Sequence, residues 1–175
     1  MPCSVISNGN CDSVLGGDAL MSFTAGSCDS VLQCSQRSLK NASLPNLLHF
    51  IRDITTRSKV SKITMVVGLI YVNRLKKSLP STARGDFDTP YKIFLSAILV
   101  ASKYLSDQSL QNKTIADITD GLYTVKDVNT MERSFLGLLK YDLWVDRNEV
   151  EDFLDQHRVE LEINFDWTHD DDEMA

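Results

Sequence analysis

An all-α fold follows from three observations on this 175-residue chain. The stretch Tyr91 to Asp107 is apolar on nearly every side. Further segments carry apolar residues at helical spacing, so that five helices fit into about 100 residues. No run of strand length alternates apolar with polar side chains. A bundle of short-looped helices around one core accounts for all three.

The apolar stretch organises the rest. Ile93, Phe94, Leu95, Ala97, Ile98, Leu99, Val100 and Ala101 leave almost no polar face, and a helix apolar all round belongs inside a helical core. Thr89 is read as its cap and Pro90 as its first helical residue. The run is too short for the ~20 residues of a membrane span and ends in Ser102-Lys103-Tyr104. Lys103 stands at the rim. On the residues alone it is an ordinary snorkelling lysine, its stem on apolar surface and its ammonium in water.

Charge divides the chain unevenly. Residues 1–36 hold three Asp and no Lys or Arg; residues 37–142 hold 16 basic and 9 acidic side chains; residues 143–175 hold 2 basic and 12 acidic ones. Cys3, Cys11, Cys28 and Cys34 all fall in the first segment, without Cys-x-x-Cys spacing or a nearby His, which excludes the usual zinc patterns. A basic n-region followed by an apolar run is missing from the start, so the chain reads as intracellular, in nucleus or cytoplasm. Residues 1–43 are Ser- and Gly-rich and carry an echo, Cys11-Asp-Ser-Val-Leu15 against Cys28-Asp-Ser-Val-Leu32. This segment is expected to be mostly disordered, and residues 1–36 dispensable for folding.

Order is expected from Ser43-Leu44-Pro45, where a cap and an early proline precede Leu47, Leu48, Phe50, Ile51 and Ile54 on helix one. Helix two runs from about Ser61 to Ser78, mostly apolar until Asn73-Arg74 and Lys76-Lys77. A Pro, Ser and Gly-containing loop, Leu79 to Asp88, leads to the central helix. A short helix near Thr114 to Thr119 closes at Gly121. Thr124-Val-Lys-Asp127 has capping-box spacing and starts helix five, with Val128, Met131, Phe135, Leu138 and Leu139 on its apolar face, to about Lys140. Asp146 with Glu149 starts a sixth, acidic helix to about Glu160, and Asp166 to Ala175 is an acidic tail expected to be solvated.

Three blocks of this sequence resemble a cyclin box: Tyr71-Val-Asn-Arg-Leu75, Phe94 to Asp107, and Thr119 to Val145. Thr119-Asp-Gly-Leu followed by Asp127-Val-Asn-Thr-Met-Glu-Arg is similar, more narrowly, to short fungal G1-type cyclins that partner the phosphate-responsive cyclin-dependent kinase. The resemblance spans residues 44–146. It implies a single five-helix cyclin box and leaves the tails unexplained; the extra C-terminal helix in residues 147–175 and the flexible tails rest on the residue pattern alone. The roughly 30 residues after Val145 leave no room for a second box of ordinary domain size.

A regulatory subunit is what the resemblance implies: it would bind and activate a cyclin-dependent protein kinase by holding the kinase's C-helix inward, and help direct it to protein substrates in cell-cycle or nutrient control. The kinase-binding positions carry over to Lys103 and Glu132, expected to pair. A hydrophobic substrate-docking patch on helix one would fall to Leu47, Phe50 and Ile51. The Arg and Asp that many cyclins pair between helices one and two are replaced at the corresponding positions by Leu44 and Asn73. No cofactor, metal or membrane partner is implied.

Enzymatic chemistry has little to stand on. His49, His157 and His169 lie on different elements without metal-site spacing, and no Gly-rich phosphate loop or Gly-x-Ser-x-Gly occurs. The other reading is a cyclin-box scaffold in transcription or nucleic-acid binding, drawn from the net basic middle segment. Its Lys and Arg are scattered, with no aromatic interleaving or dense stripe. Thr89-Pro90 also meets the minimal pattern of a proline-directed phosphorylation site.

Overall fold

The computed structural model describes residues 16–163. Within them lie seven α-helices: α1 (Gly17–Asp29), α2 (Leu47–Ser58), α3 (Lys62–Ser78), α4 (Thr89–Leu105), α5 (Asn112–Ile118), α6 (Val125–Leu138) and α7 (Arg147–Gln156). Five of them, α2 to α6, make the box, with α1 before it and α7 after it. The sole strands among the described residues are two-residue stubs paired in parallel, Gln33 with Arg84 and Cys34 with Gly85. Gly85 is required there, because a Cβ on it would stand 2.7 Å from Thr89 Oγ1. The first Cys-Asp-Ser-Val-Leu copy and the acidic tail from Asp166 lie outside the described residues.

Local chemistry sets the helix starts. Ser61 accepts the Thr64 N–H at α3, and Asp146 accepts the Glu149 N–H at α7. At α6 the capping box closes in both directions: Thr124 Oγ1 accepts from Asp127 N, and Thr124 N donates to the Asp127 carboxylate. Hydrogen bonds to the carboxylate from the Thr124 backbone, foremost, and from the Thr124 side chain hold the Asp127 carboxyl below its usual value. The carboxylate form that caps α6 is therefore retained until pH falls below the ordinary Asp range. Two starts differ from expectation. The cap of α2 is Asn46, which accepts from His49 N, rather than Ser43; Pro45 instead presents its carbonyl to the Tyr91 hydroxyl. Asp88, not Thr89, occupies the cap position of α4, leaving Thr89 inside the first turn and Pro90 buried. Phosphorylation at Thr89-Pro90 would need that turn undone.

Helix α4 is the centre. Twelve of its 17 residues are buried, and its longest seam is with α3, itself buried from Ile63 to Val72. The two helices meet at small residues, where a Cβ added to Gly68 would come within 3.5 Å of the Ala97 backbone. That is ordinary contact, so Gly68→Ala should be neutral or stabilising by about 0.5–1 kcal/mol, since it removes a mid-helix glycine. Gly68→Val, with a branch the seam cannot hold, should cost about 1–3 kcal/mol; paired thermal melts would check both.

The N-terminal segment departs from expectation. Instead of disorder, residues 17–29 form α1, which packs on α2, α3 and α4 and inserts Leu20, Thr24 and Cys28 into the core, followed by Val31. Thr24 satisfies its hydroxyl by donating to the Leu20 carbonyl, 2.7 Å away. Arg52 of α2 reaches Asp18, and Lys76 of α3 donates to Ser30. Residues 17–31 thus contribute to the core, and deletion of residues 1–36 is expected to cost stability. Leu20→Ala should lower stability by about 2–5 kcal/mol, read as a shift of the thermal transition.

Candidate functional site: the surface around Lys103 and Glu132

Lys103 lies in the last turn of α4 and Glu132 in the middle of α6, 29 residues later. The structure brings them together, Nζ to Oε1 at 2.6 Å. Their burial is unequal: the lysine side chain is 37% exposed and the glutamate 16%. A third residue joins them. Asn112, the first of α5, accepts from Lys103 Nζ through Oδ1 at 2.7 Å and donates from Nδ2 to Glu132 Oε2 at 2.8 Å and to Asn129 Oδ1 at 2.7 Å. Both Glu132 oxygens are thus engaged by different partners. Asn129 stands one helical turn before Glu132 on α6, a spacing that sequence alone could have flagged. Asn112 follows a loop and had no such signal.

The chain turns from α6 into α7 through residues 139–146. Lys140 and Tyr141 both adopt left-handed backbone, φ 54° and 56°, uncommon for residues with a Cβ. Three side chains hold the turn. Tyr71 donates to the Leu143 carbonyl at 2.9 Å; Tyr104, next to Lys103, exchanges hydrogen bonds with Val145; and Arg74 donates to the carbonyls of Asp142 and Trp144 at 2.8 and 2.6 Å. Arg74 also meets both oxygens of Glu149 at 2.8 Å. At α7 the cap is left to Asp146, and the Glu149 carboxylate serves a longer-range ion pair. The result is an ordered turn carrying exposed apolar side chains: Leu138 at its entry, then Tyr141 and Trp144, 67% and 61% exposed. Large apolar groups held outward on a fixed backbone are chemistry for a partner.

Helix one's docking patch does not survive. Phe50 and Ile51 are 3% and 0% exposed, Phe50 packing edge-on against Tyr91 and Phe94, while Leu47 alone is part-exposed. One apolar stripe on α2 serves the core, and α1 lies along the helix beside it, so Phe50 and Ile51 present no surface for a substrate. Leu44 is also buried and Asn73 half-buried, the latter lining a cleft with Phe23, Phe153 and His157.

Elsewhere the described residues hold little reactive chemistry. Burial pushes the Cys28 thiol up to about 12, with Asp29 adding to the effect, so it stays protonated near neutrality. Cys34 is raised too, by burial first and then by nearby carboxylates. No cluster of His, Cys, Asp or Glu suited to a metal ion occurs among the described residues, and no helix there is long and apolar enough to cross a membrane.

The cyclin N-terminal domain model matches residues 24–144, reaching back through the second half of α1. Among curated relatives in Saccharomyces cerevisiae, PHO85 cyclin-1 is 38% identical over 107 residues, covering 61% of this chain and 38% of that protein. PHO85 cyclin-9 is 30% identical over 137 residues, 77% of this chain and 45% of that protein; PHO85 cyclin-2 is 33% identical over 106 residues, 61% and 34%. The chain spans less than half the length of these relatives. With the matched domain covering more than half of the sequence and its helices in cyclin-box order, the chain belongs to the cyclin family.

Proposed function

We propose that this protein is a regulatory cyclin that binds and activates a cyclin-dependent protein kinase, of the PHO85 type for which its yeast relatives are named. The observation that carries the reading is the Lys103–Glu132 pair, assembled at 2.6 Å, together with exposed Tyr141 and Trp144 on the turn that follows α6. A charged pair and aromatics held outward on an ordered turn each suit a protein partner, whose binding would desolvate the ions and cover the rings. In this role the chain does no chemistry itself. Its binding energy is spent on the kinase's active arrangement, and substrates in cell-cycle or nutrient control are phosphorylated by the partner, inside the cell.

Adding the purified chain to a PHO85-type kinase should raise phosphorylation of a generic substrate, while the chain alone should neither bind nor hydrolyse ATP. Calorimetry and a phosphorylation assay run in parallel check this. Saturable ATP binding by the isolated chain, or a kinase indifferent to its addition, would sink the reading.

A further inference from the structure

Asn112 makes three hydrogen bonds with one amide, and each joins a different side chain. Its orientation is set by chemistry. Turned over, Nδ2 would face the Lys103 ammonium, donor against donor, and Oδ1 would face Glu132 Oε2 and Asn129 Oδ1, acceptor against acceptors. In the only workable orientation every polar valence of the Asn112 side chain that a hydrogen atom occupies is used within the cluster. The neighbouring valences are then fixed as well. Glu132 gives one oxygen to Lys103 and the other to Asn112. Lys103 commits two of its three N–H bonds, leaving one, and the exposed Asn129 has no partner for Nδ2 among the described residues.

We propose that Asn112 is a positioning residue for the kinase-facing pair: it fixes the Lys103 and Glu132 side chains in one geometry, so that the surface offers hydrogen-bond donors from Lys103 and Asn129 to carbonyl oxygens of the partner. This rests on the kinase reading above. Without Asn112, Lys103 and Glu132 would still attract, but an exposed ion pair with two flexible side chains samples many arrangements, and ordering them on binding would weaken association. Asn112 is not itself the cap of α5, a position held by Gln111, and it is half-buried, so its side chain is not required to close the core.

Two substitutions separate positioning from a plain structural role. Asn112→Asp sets a second carboxylate against Glu132 and should lower the melting temperature on either reading, but a merely structural Asn112 would leave kinase binding by the folded chain unchanged. Positioning predicts the reverse for binding. The new carboxylate can accept from Lys103 but faces Glu132 Oε2 and Asn129 Oδ1 with no hydrogen to give, so kinase association should fall about tenfold or more, about 1.4 kcal/mol. Asn112→Leu, close in shape and without polar groups, should fall similarly.

The second measurement needs no kinase. In the free, full chain the Lys103 ammonium, held by two acceptors, should give an NMR signal protected from solvent exchange, and Asn112→Leu should abolish it. Loss of that signal together with loss of affinity supports the proposal. A persistent signal in Asn112→Leu, or full affinity in Asn112→Asp, overturns it. If the unaltered chain fails to bind the kinase, the functional reading falls, and the ammonium signal alone then decides whether Asn112 positions the pair.

Discussion

Removing either member of the Lys103–Glu132 pair is expected to weaken association with a PHO85-type kinase by about 30-fold or more, using ~1.4 kcal/mol per tenfold. Truncating one partner of a hydrogen-bonded charge pair that becomes buried at an interface costs roughly 2–5 kcal/mol of binding. In the free chain Lys103 is 37% exposed, and water screens the pair, which limits its contribution to folding to about 0–1 kcal/mol. Binding and stability should therefore separate. Lys103→Ala and Glu132→Ala should shift the melting temperature little, the lysine variant somewhat more, because it leaves the better-buried Glu132 with Asn112 as its one remaining partner among the described residues. The double variant should lose less than the sum of the singles, since each single change already breaks the same unit. Kinase titrations and thermal melts on the same four proteins test this; wild-type affinity in both single variants would remove the pair from the interface.

The second large effect falls on folding. Leu99 is fully buried and Ile98 nearly so, both on α4, where α3, α6 and α1 converge. Ile98→Ala or Leu99→Ala leaves a cavity that helices packed on several sides cannot collapse into, at a cost of about 2–5 kcal/mol. For a domain of this size each kilocalorie moves the midpoint by roughly 2–4 °C, so the shift is easily resolved. Kinase binding should fall only as the folded fraction falls. Unchanged midpoints in both variants would contradict the central place of α4.

How legible all this was depends on how far the deciding contact lay along the chain. The start of α6 is written in a three-residue pattern, Thr124 to Asp127, and it closed as read; α3 begins at Ser61, where the sequence put it, through the same kind of local bond to Thr64. Helix α4 announced itself because it is apolar on every face. Helix α1 did not: it buries Leu20, Thr24 and Cys28, one residue per turn, and two of the three are small or polar, so no broad stripe marks it among the Ser and Gly. Phe50 and Ile51 were misassigned to a surface because a periodic stripe shows that a helix has an apolar face without showing what that face touches. Glu149 had the spacing of a capping box, but a guanidinium 75 residues away competes better for a carboxylate than a backbone N–H does. Lys103 and Glu132 carry no local signal of pairing, and resemblance alone picked them out. Asn112, whose partners lie 9, 17 and 20 residues away, needed the folded chain.

The turn between α6 and α7 is fastened by its backbone. Arg74 and Tyr71 grip the carbonyls of Asp142, Leu143 and Trp144, and none of those bonds depends on which side chain sits at Tyr141 or Trp144. Replacing the exposed rings would therefore alter the surface of the turn without removing the bonds that fasten it. The side chain at Trp144 is thus free of any fastening duty, and its exposure is a property of the residue and not of the turn.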